Sequence, residues 1–258
     1  MATFLFNDLI FGPVASRRLG MSLGINLLPT DNKYCTFNCI YCECGWTEMQ
    51  GRSIRLPSRE AVKKNLETKL QSLYGTKMEP DAITFAGNGE PTIHPAFAGI
   101  IDDTIKIRNR FAPKAKISVL SNASQLHKPR VKEALKKVDK NIQKLDAGTE
   151  STFQKINQPQ GNLTLTQIVD KLLAFDGKLI LQTLFLRGIY KGFPINNTTP
   201  EEVEAWLSIV EKVNPEYVMI YPIDRDTPAA GLEKISRNEL NRIAQKVKQK
   251  GIKTEVYY

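Results

Sequence analysis

The stretch "CTFNCIYCECG", residues 35–45, contains all four cysteines of this 258-residue chain. Cys35, Cys39 and Cys42 follow a C-x3-C-x2-C spacing, and Cys44 comes two residues later. Clustered cysteines in a reducing compartment are typically metal ligands, whereas disulfides belong to oxidising compartments. A disulfide between cysteines this close in sequence would also not link distant parts of the fold. The cluster therefore predicts a metal site rather than a structural disulfide.

Zinc and an iron–sulfur cluster are the two kinds of metal site to compare. Structural zinc sites usually use two pairs of ligands separated by a longer loop. The chain has no second cysteine pair, and its two histidines, His94 and His127, lie far from the loop. Three thiolates of one short loop more easily hold three corners of a four-iron cluster, because thiolates are the usual ligands of such clusters. The fourth iron would then be open, which suits chemistry rather than structure.

This spacing, with the aromatic Tyr41 just before Cys42, resembles the motif of the radical S-adenosylmethionine (SAM) superfamily. The preceding stretch "FGPVASRRLGMSLGINLLP", residues 11–29, resembles an uncharacterised branch related to the wyosine-synthesising tRNA enzymes. The resemblance implies one 4Fe–4S cluster on Cys35, Cys39 and Cys42, with SAM on the open iron. It also implies reductive cleavage of SAM to methionine and a 5′-deoxyadenosyl radical, which takes a hydrogen atom from the substrate. Cys44 is expected to be a plain loop residue.

Strand and helix patterns alternate along the rest of the chain. Ser58 and Thr199 are typical N-caps, and Pro200 suits a first helical position. The predicted strands are 21–28, 81–86, 116–121, 141–147, 179–185 and 217–222, with a further short strand at 252–258; the predicted helices are 58–74, 96–110, 129–137, 164–175, 199–213 and 236–250. About six βα units predict an α/β fold with a parallel sheet. The periodicity is equally compatible with a doubly wound sheet. The partial (βα)6 TIM-like barrel is what the resemblance implies.

The composition predicts a single domain over residues 1–258. Residues 1–20 are expected to form an N-terminal extension, and residues 236–258 the C-terminal helix and last strand. No linker rich in Ser, Gly or Pro interrupts the chain, and 41% of its residues are hydrophobic. Neither a cleavable leader nor a long uncharged apolar run is present, so we expect a cytoplasmic protein without a membrane partner.

The residues that follow the predicted strands matter because ligands of parallel α/β folds bind at the carboxyl ends of the strands. "GNGEP", residues 87–91, follows the second strand. Glycines let backbone groups approach a ligand, and a carboxylate accepts hydrogen bonds from a cationic amino group. The stretch resembles the superfamily's GGEP motif, which holds the amino group of SAM, with Asn88 where glycine is often found. Gly87, Asn88, Gly89 and Glu90 are therefore expected to contact SAM.

Further cofactor contacts are predicted at other strand ends. Asp146 suits the two hydroxyls of a ribose, and Ser121 and Asn122 could serve the same purpose from the third strand. The resemblance adds Tyr41 and places the backbone around Ile223 along the adenine. The alternatives are turn formation, helix capping or sheet core, and Lys144 could be the ion-pair partner of Asp146.

Other residues carry weaker signals. His94 is expected to be a hydrogen-bonded structural histidine, and His127 to face solvent. Arg17 and Arg18 could bind a carboxylate or phosphate, or form a surface pair. The long segment 187–199 is a candidate substrate lid.

The net charge of +9 and the pI near 9.3 favour an anionic partner. Lysines crowd residues 128–144, although such charge mostly lies on solvated helix faces, and no RNA-binding motif is present. Three functions are therefore weighed: a radical SAM enzyme acting on tRNA or another anionic substrate, one acting on a small metabolite, peptide or protein in the manner of an activase, and a metal-binding module without catalysis. Either enzyme would need a reductase, flavodoxin or ferredoxin as electron donor. The catalytic residues are not identifiable from the sequence.

Overall fold

The structure is a computed structural model that describes residues 4–47 and 54–258. Its centre is a mixed β-sheet. Within the described residues the strands are β1 (Ile10–Ser16), β2 (Gly20–Ile25), β3 (Ala82–Phe85), β4 (Lys116–Ser121), β5 (Lys140–Lys144), β6 (Ile180–Tyr190), β7 (Phe193–Asn196), β8 (Tyr217–Pro222), β9 (Leu232–Lys234) and β10 (Thr254–Val256).

The strand order β1-β2-β3-β4-β5-β6-β8-β10 follows the chain in one direction. Every neighbouring pair from β2 to β10 is parallel. Right-handed crossovers of the same sense give such an order, whereas a doubly wound sheet reverses its order at a switch point. The sheet does not close, because β1 and β10 lie at opposite ends of it. The predicted partial barrel of parallel strands is confirmed, and the doubly wound alternative is wrong.

Helices connect the parallel strands. They are α1 (Arg59–Leu73), α2 (Phe97–Phe111), α3 (Pro129–Leu135), α4 (Glu150–Asn157), α5 (Leu165–Leu173), α6 (Pro200–Val213) and α7 (Arg237–Gln249). The predicted caps form, because the Ser58 and Thr199 hydroxyls accept from the N–H groups of Ala61 at 3.1 Å and Glu202 at 3.2 Å. The eight-residue α4 is absent from the sequence prediction. Among the described residues, no helix is long and apolar enough to cross a bilayer.

Two antiparallel hairpins also depart from the prediction. β1 pairs with β2 across residues that were expected to be an extension. Residues 187–196 lie in β6 and β7, which pair around Lys191 and Gly192. Both turn residues have positive φ angles, as two-residue hairpin turns that match the strand twist require. The proposed lid is therefore largely a paired hairpin rather than a long loop.

The curl of the sheet brings the turn between its first two strands close to the end of β8. Arg17, in the turn between β1 and β2, forms a 2.9 Å ion pair with Asp224, which follows β8. Next to it, the Arg18 guanidinium lies 4.6 Å from the centre of the Tyr221 ring in β8. Buried apolar side chains such as Ile25 and Phe85 fill the core between sheet and helices. The carboxyl ends of the parallel strands therefore surround a common space.

Candidate functional site

The cysteine loop lies over the carboxyl ends of the strands and is anchored to the loop after β3. The Tyr34 N–H donates to the Asn88 carbonyl at 2.8 Å, and the Tyr34 carbonyl accepts from the Glu90 N–H at 3.2 Å. These bonds form an isolated parallel bridge between Tyr34 and Gly89. The two sequence motifs, far apart in the chain, are thus held side by side.

A second anchor ties the cysteine loop to the end of α4. The Asn38 N–H donates to the Gln158 carbonyl, and the Ile40 N–H to the Ile156 carbonyl, both at 3.0 Å. Since both anchors are backbone contacts within the protein, the loop is positioned by the fold itself.

The cysteines line a cavity of about 350 Å³. One part of the lining comes from the cysteine loop and from the ends of β3 and β4: Cys35, Cys39, Cys42, Cys44, Gly87, Gly89, Glu90, Ser121 and Asn122. Another part comes from β5, β6, β8 and the β1–β2 turn: Lys144, Gln182, Leu184, Tyr221 and Arg18. The cavity therefore lies where parallel α/β folds place their ligands.

Each of the three motif cysteines has a side-chain donor directed at its sulfur. The Asn122 amide donates to Cys35 Sγ and the Asn157 amide to Cys39 Sγ, both at 3.5 Å. The third donor is the Lys33 ammonium, which hydrogen-bonds Cys42. Such donors stabilise thiolate charge and orient the sulfur atoms.

Lys33 is a buried cation among these sulfur atoms. Its side chain is held by a 2.9 Å hydrogen bond from Nζ to the Gly45 carbonyl, and the residue is 4% exposed. Burial opposes the charged form of Lys33, but the electrostatic attraction of the Cys42, Cys35 and Cys39 sulfur atoms outweighs it and raises the pKa of Lys33. A lysine is seldom buried without a partner, so its position here indicates a site built for negative charge.

The thiols differ in their protonation. Burial raises the pKa of Cys35 to about 12 and also raises that of Cys39. The Cys44 thiol hydrogen-bonds to Cys42, which lowers the pKa of Cys42 and raises that of Cys44. Cys44 also donates to the Gly87 carbonyl at 3.4 Å. Cys44 thus acts as a hydrogen-bond donor in this arrangement.

The glycine turn after β3 has the backbone that the sequence predicted. Gly87 and Gly89 have φ angles of +154° and +141°. A Cβ atom on Gly89 would lie 1.9 Å from the Tyr34 carbonyl oxygen, and one on Gly87 would lie 2.4 Å from Asn26 Oδ1. Both positions therefore require glycine for the close approach of the two loops.

Asn88, by contrast, faces the protein interior. Its side chain is 0% exposed, donates to the carbonyls of Phe6 and Pro29 at 2.9 and 2.8 Å, and accepts from the Phe6 N–H at 2.9 Å. These contacts use both N–H groups and the oxygen of the amide, and Asn88 is not part of the lining of the cavity. The prediction of a cofactor contact at Asn88 can hold only for its backbone.

The Glu90 carboxylate lies at the cavity wall but is largely occupied. Oε1 accepts from the Thr92 N–H at 3.0 Å and from the Thr92 hydroxyl, and Oε2 accepts from the Asn122 N–H at 2.6 Å. Burial raises the pKa of Glu90 although these bonds favour the charged form. Glu90 thus links the glycine turn to the end of β4, where Asn122 meets Cys35.

Asp146 lies behind the cavity rather than in its lining. Its Oδ1 accepts from the Leu184 N–H at 2.9 Å and is 3.4 Å from the Lys144 ammonium, as the ion-pair alternative predicted. Its Oδ2 accepts from the Tyr41 hydroxyl and from the Asn157 amide. The carboxylate therefore positions Tyr41 and Asn157, and it has no face free for a ribose.

The remaining predicted residues fall into different places. Ser121 and Asn122 line the cavity, although the Ser121 hydroxyl also accepts from the Ala123 N–H at 3.1 Å. Tyr41 lines it too, whereas Ile223 lines a smaller adjoining pocket with Tyr221 and Arg18. His94 is hydrogen-bonded to the Pro57 carbonyl at 2.8 Å, as expected, and His127 is exposed.

The sequence motifs assign no site role to Lys33, Asn157 or Gln182. Lys33 lies two residues before Cys35, so its proximity to the motif was the available signal. Asn157 reaches Cys39 across 118 residues from the unpredicted α4, and no local pattern marks it. Gln182 is the polar residue of the apolar stretch LILQTLF, residues 179–185, which is the pattern of a site residue in a buried strand.

Comparison with curated proteins finds relatives that match most of the chain. A UPF0026 protein of Helicobacter pylori (strain J99) is 30% identical over 236 residues, which cover 90% of this chain and 71% of that protein. The chain belongs to the UPF0026 family. A protein of Brachyspira hyodysenteriae called GTPase Obg is 31% identical over 237 residues, but the chain spans only 32% of its length. No family model matches the UPF0026 chain.

Solved structures share its fold. A radical SAM methyltransferase from Sphaerobacter thermophilus superposes with a TM-score of 0.63 at 15% identity, covering 92% of this chain and 66% of that one. SuiB of Streptococcus suis bound to S-adenosylmethionine superposes with a TM-score of 0.61 at 14% identity, covering 88% of this chain and 49% of that one. Archaeal TYW1 superposes with a TM-score of 0.53 at 12% identity, covering 89% of this chain and 72% of that one. At these identities the likeness shows the fold alone, and the relation to a wyosine branch stays a prediction.

The donor set at the cavity fits an iron–sulfur cluster. Three cysteines with separate N–H donors line one space, and thiolates with such donors are the usual surroundings of these clusters. Within residues 4–47 and 54–258, no three Cys, His, Asp or Glu side chains are arranged to hold a single metal ion. A cluster on Cys35, Cys39 and Cys42 would bring its own sulfides and so needs no fourth protein ligand close by.

Proposed function

We propose that this UPF0026 protein is a radical SAM enzyme that holds one 4Fe–4S cluster on Cys35, Cys39 and Cys42 and binds SAM beside it. The observation that carries the proposal is the meeting of these three thiols with the glycine turn and Asn122 around one cavity. When bound, the cluster and SAM together supply a 5′-deoxyadenosyl radical that takes a hydrogen atom from the substrate. An external one-electron donor of the flavodoxin or ferredoxin kind is required.

Each group of residues has a separate task in this proposal. The cysteines hold iron, and the Asn122, Asn157 and Lys33 donors offset the negative charge of the sulfur atoms. The backbone carbonyls of the glycine turn accept hydrogen bonds from the ammonium of SAM, and Glu90 holds that turn in place. Tyr41, Ser121, Asn122 and the backbone near Ile223 are proposed to line SAM. Residues 1–258 are proposed to act as one unit, in the cytoplasm.

Anaerobic reconstitution with iron and sulfide tests the proposal against a non-catalytic metal module. Because the chain has four cysteines and three are committed, a second all-cysteine cluster is not expected. The expected result is a brown protein with about four iron atoms per chain, whose electron paramagnetic resonance spectrum changes when SAM is added. Stoichiometric zinc in place of iron, without SAM binding, would instead favour the module.

Replacing Glu90 by alanine is expected to weaken SAM binding by about tenfold or more and leave the cluster in place. The reason is that charge-assisted hydrogen bonds worth about 1.5–3 kcal/mol position the turn, whereas the cysteine loop keeps its anchor on α4. Equilibrium dialysis with labelled SAM and an iron assay measure the two effects. Glu67→Ala, which removes a partly exposed carboxylate of α1 far from the cavity lining, is the control. Unchanged SAM affinity in Glu90→Ala would show that the turn has no part in binding.

Replacing Asn157 by leucine is expected to lower the midpoint potential of the cluster. The change removes the hydrogen bond to Cys39 Sγ, and such bonds stabilise the more negative, reduced state. Redox titration followed by electron paramagnetic resonance measures the shift. Asn65→Leu, in a hydrogen bond on the outer face of α1, is the control. An unchanged midpoint potential would mean that the Asn157 amide acts only through its hydrogen bond to Asp146.

For the substrate we propose RNA, in particular tRNA. It is supported by an aromatic and basic surface near the cysteine loop. The ring centres of Trp46 and Tyr190 are 6.0 Å apart, and the Lys191 ammonium lies 5.3 Å from the centre of the Tyr190 ring. Phe193, on the same hairpin, is 66% exposed. Aromatic rings next to cations suit unpaired bases.

Binding of tRNA between about 50 and 200 mM salt tests this substrate, because affinity carried by phosphate contacts falls steeply with salt. We expect salt-sensitive binding that weakens further in Lys191→Ala and Phe193→Ala. Absence of binding at the low salt end would move the proposal to a small-molecule or peptide substrate. A changed nucleoside in the recovered RNA is needed to establish the reaction.

A further inference from the structure

A groove of about 630 Å³ lies beside the loops that follow β3 and β4. It is lined by residues 92–99, which lead from β3 into α2, by residues 128–131 at the start of α3, and by Arg59. It shares no lining residue with the cavity of the cysteines. We call it the basic groove, because its lining contains Arg59, Lys128 and Arg130 and no carboxylate among the described residues.

Of the three cations that line the basic groove, two are without an ion-pair partner within residues 4–47 and 54–258. Arg59 forms a bidentate ion pair with Asp103, at 2.7 and 2.9 Å. Lys128 and Arg130 are exposed and form no such pair in that part of the chain. The rest of the lining is largely apolar. A concave apolar surface next to unpaired cations suits a protein partner with an acidic surface.

The basic groove is connected to Cys35 by hydrogen bonds. The N–H of Thr92, in the groove lining, donates to Glu90 Oε1 at 3.0 Å, and Glu90 Oε2 accepts from the Asn122 N–H at 2.6 Å. The Asn122 side-chain amide then donates to Cys35 Sγ at 3.5 Å. Three hydrogen bonds therefore lead from the groove to a sulfur atom that is proposed to hold iron.

A second route from Asn122 reaches the segment that leads into the basic groove. The Asn122 amide also donates to Thr36 Oγ1 at 3.0 Å, and this hydroxyl is hydrogen-bonded to Ser124 Oγ at 2.7 Å. Lys171 donates from Nζ to the Ser124 carbonyl at 3.0 Å and adds a further cation here. The same segment continues to Lys128 in the groove. The groove therefore approaches the cysteines from the side of β4.

We propose that the basic groove is the docking site of a small acidic protein that delivers single electrons to the proposed cluster. The inference rests on the proposed function, which needs such a donor. In each transfer the donor is oxidised by one electron and the cluster is reduced by one. Opposite charges bring redox partners together quickly, and the interfaces of electron-transfer complexes are small. One groove with a few unpaired cations fits such an encounter.

RNA fits the basic groove less well than an acidic protein does. Single-stranded RNA is bound by accessible aromatic rings beside cations. The aromatic rings in the lining of the basic groove, Phe97 and His94, are 1% and 4% exposed. The accessible rings lie instead on the hairpin of Tyr190 and Phe193, which belongs to the proposed RNA surface.

Binding of an acidic flavodoxin tests the docking site without any turnover. The double variant Lys128→Glu/Arg130→Glu is expected to weaken binding at about 50 mM salt by about tenfold or more, because two reversed charges replace attraction by repulsion. Isothermal titration calorimetry measures the dissociation constant for the cluster-loaded and the metal-free protein. Since no residue of the groove is a cysteine, the metal-free protein reports on the surface alone, whereas an iron assay reports on the proposed function.

Arg242→Glu/Lys246→Glu is the matched control, because it makes the same change of charge on the exposed face of α7, which packs against β8 and β10. It is expected to change flavodoxin binding by less than about threefold, since salt screens charges that lie far from the interface. Stopped-flow reduction of the cluster-loaded protein gives a second readout. The rate with reduced flavodoxin should fall about tenfold or more in Lys128→Glu/Arg130→Glu, whereas the rate with dithionite, which needs no docking, should be unchanged.

Three results would each overturn the docking site. Flavodoxin does not bind at about 50 mM salt, where attraction between opposite charges is only partly screened. The two double variants weaken flavodoxin binding equally, so that net charge alone matters. Lys128→Glu/Arg130→Glu weakens tRNA binding and leaves flavodoxin binding unchanged, which would assign the basic groove to RNA.

Discussion

Alanine at Cys35, Cys39 or Cys42 is expected to reduce the iron content of the reconstituted protein from about four atoms per chain to below about one, because each supplies a separate corner of the cluster. Alanine at Cys44 is expected to leave about four. The structure supports this difference, because Cys44 hydrogen-bonds to Cys42 and to the Gly87 carbonyl, whereas the other three each have a nitrogen donor. Iron and sulfide assays measure the effect.

The fold should survive all four substitutions, since backbone bonds to Asn88 and to residues 156–160 hold the loop. Far-ultraviolet circular dichroism of each variant is the control for folding. The ligand assignment is contradicted if Cys44→Ala loses iron as completely as Cys42→Ala does. A partial loss in Cys44→Ala would fit its hydrogen bond to Cys42.

Alanine at Gly89 is expected to lower the free energy of unfolding by about 3 kcal/mol or more and to abolish SAM binding. The new methyl group would lie 1.9 Å from the Tyr34 carbonyl oxygen, so the glycine turn and the cysteine loop must separate. Forced backbone strain and overpacking each cost about 1–3 kcal/mol. Anaerobic urea denaturation and equilibrium dialysis of SAM measure the two consequences.

Gly75→Ala is the matched control for the backbone conformation. Gly75 also has a positive φ angle, +74°, but a Cβ there would meet nothing within 4 Å. Its substitution should cost only about 1 kcal/mol, the penalty of the left-handed conformation itself. Equal destabilisation by the two substitutions would mean that the contact between the two loops is unimportant.

The fold was predictable where its pattern is local. Alternating apolar strands and capped helices predict the parallel sheet, because each βα unit has its own hydrophobic period and cap. The β1 strand (Ile10–Ser16) was missed because it contains Gly12 and Pro13, residues that are uncommon inside strands. The β6–β7 hairpin was read as a loop because its residues 187–196 lack a clear alternation of apolar and polar side chains.

The site was predictable where its residues are close in sequence. The cysteine spacing and the glycine turn require particular residue types at short intervals, and both motifs lie together at the cavity. Asn157 and Gln182 were not predictable as partners of the site, because their contacts depend on how distant segments pack. Asp146 was assigned to a ligand because its position after β5 suits one, but packing against Tyr41, Asn157 and β6 uses both of its oxygens.

Reductive cleavage of SAM by the reconstituted protein tests the central claim most directly. With dithionite as reductant under anaerobic conditions, the protein is expected to form 5′-deoxyadenosine and methionine in equal amounts, as quantified by liquid chromatography with mass spectrometry. The Cys39→Ala variant should form neither product. A protein that holds its full complement of iron and binds SAM, yet yields no 5′-deoxyadenosine above that variant, would contradict the account.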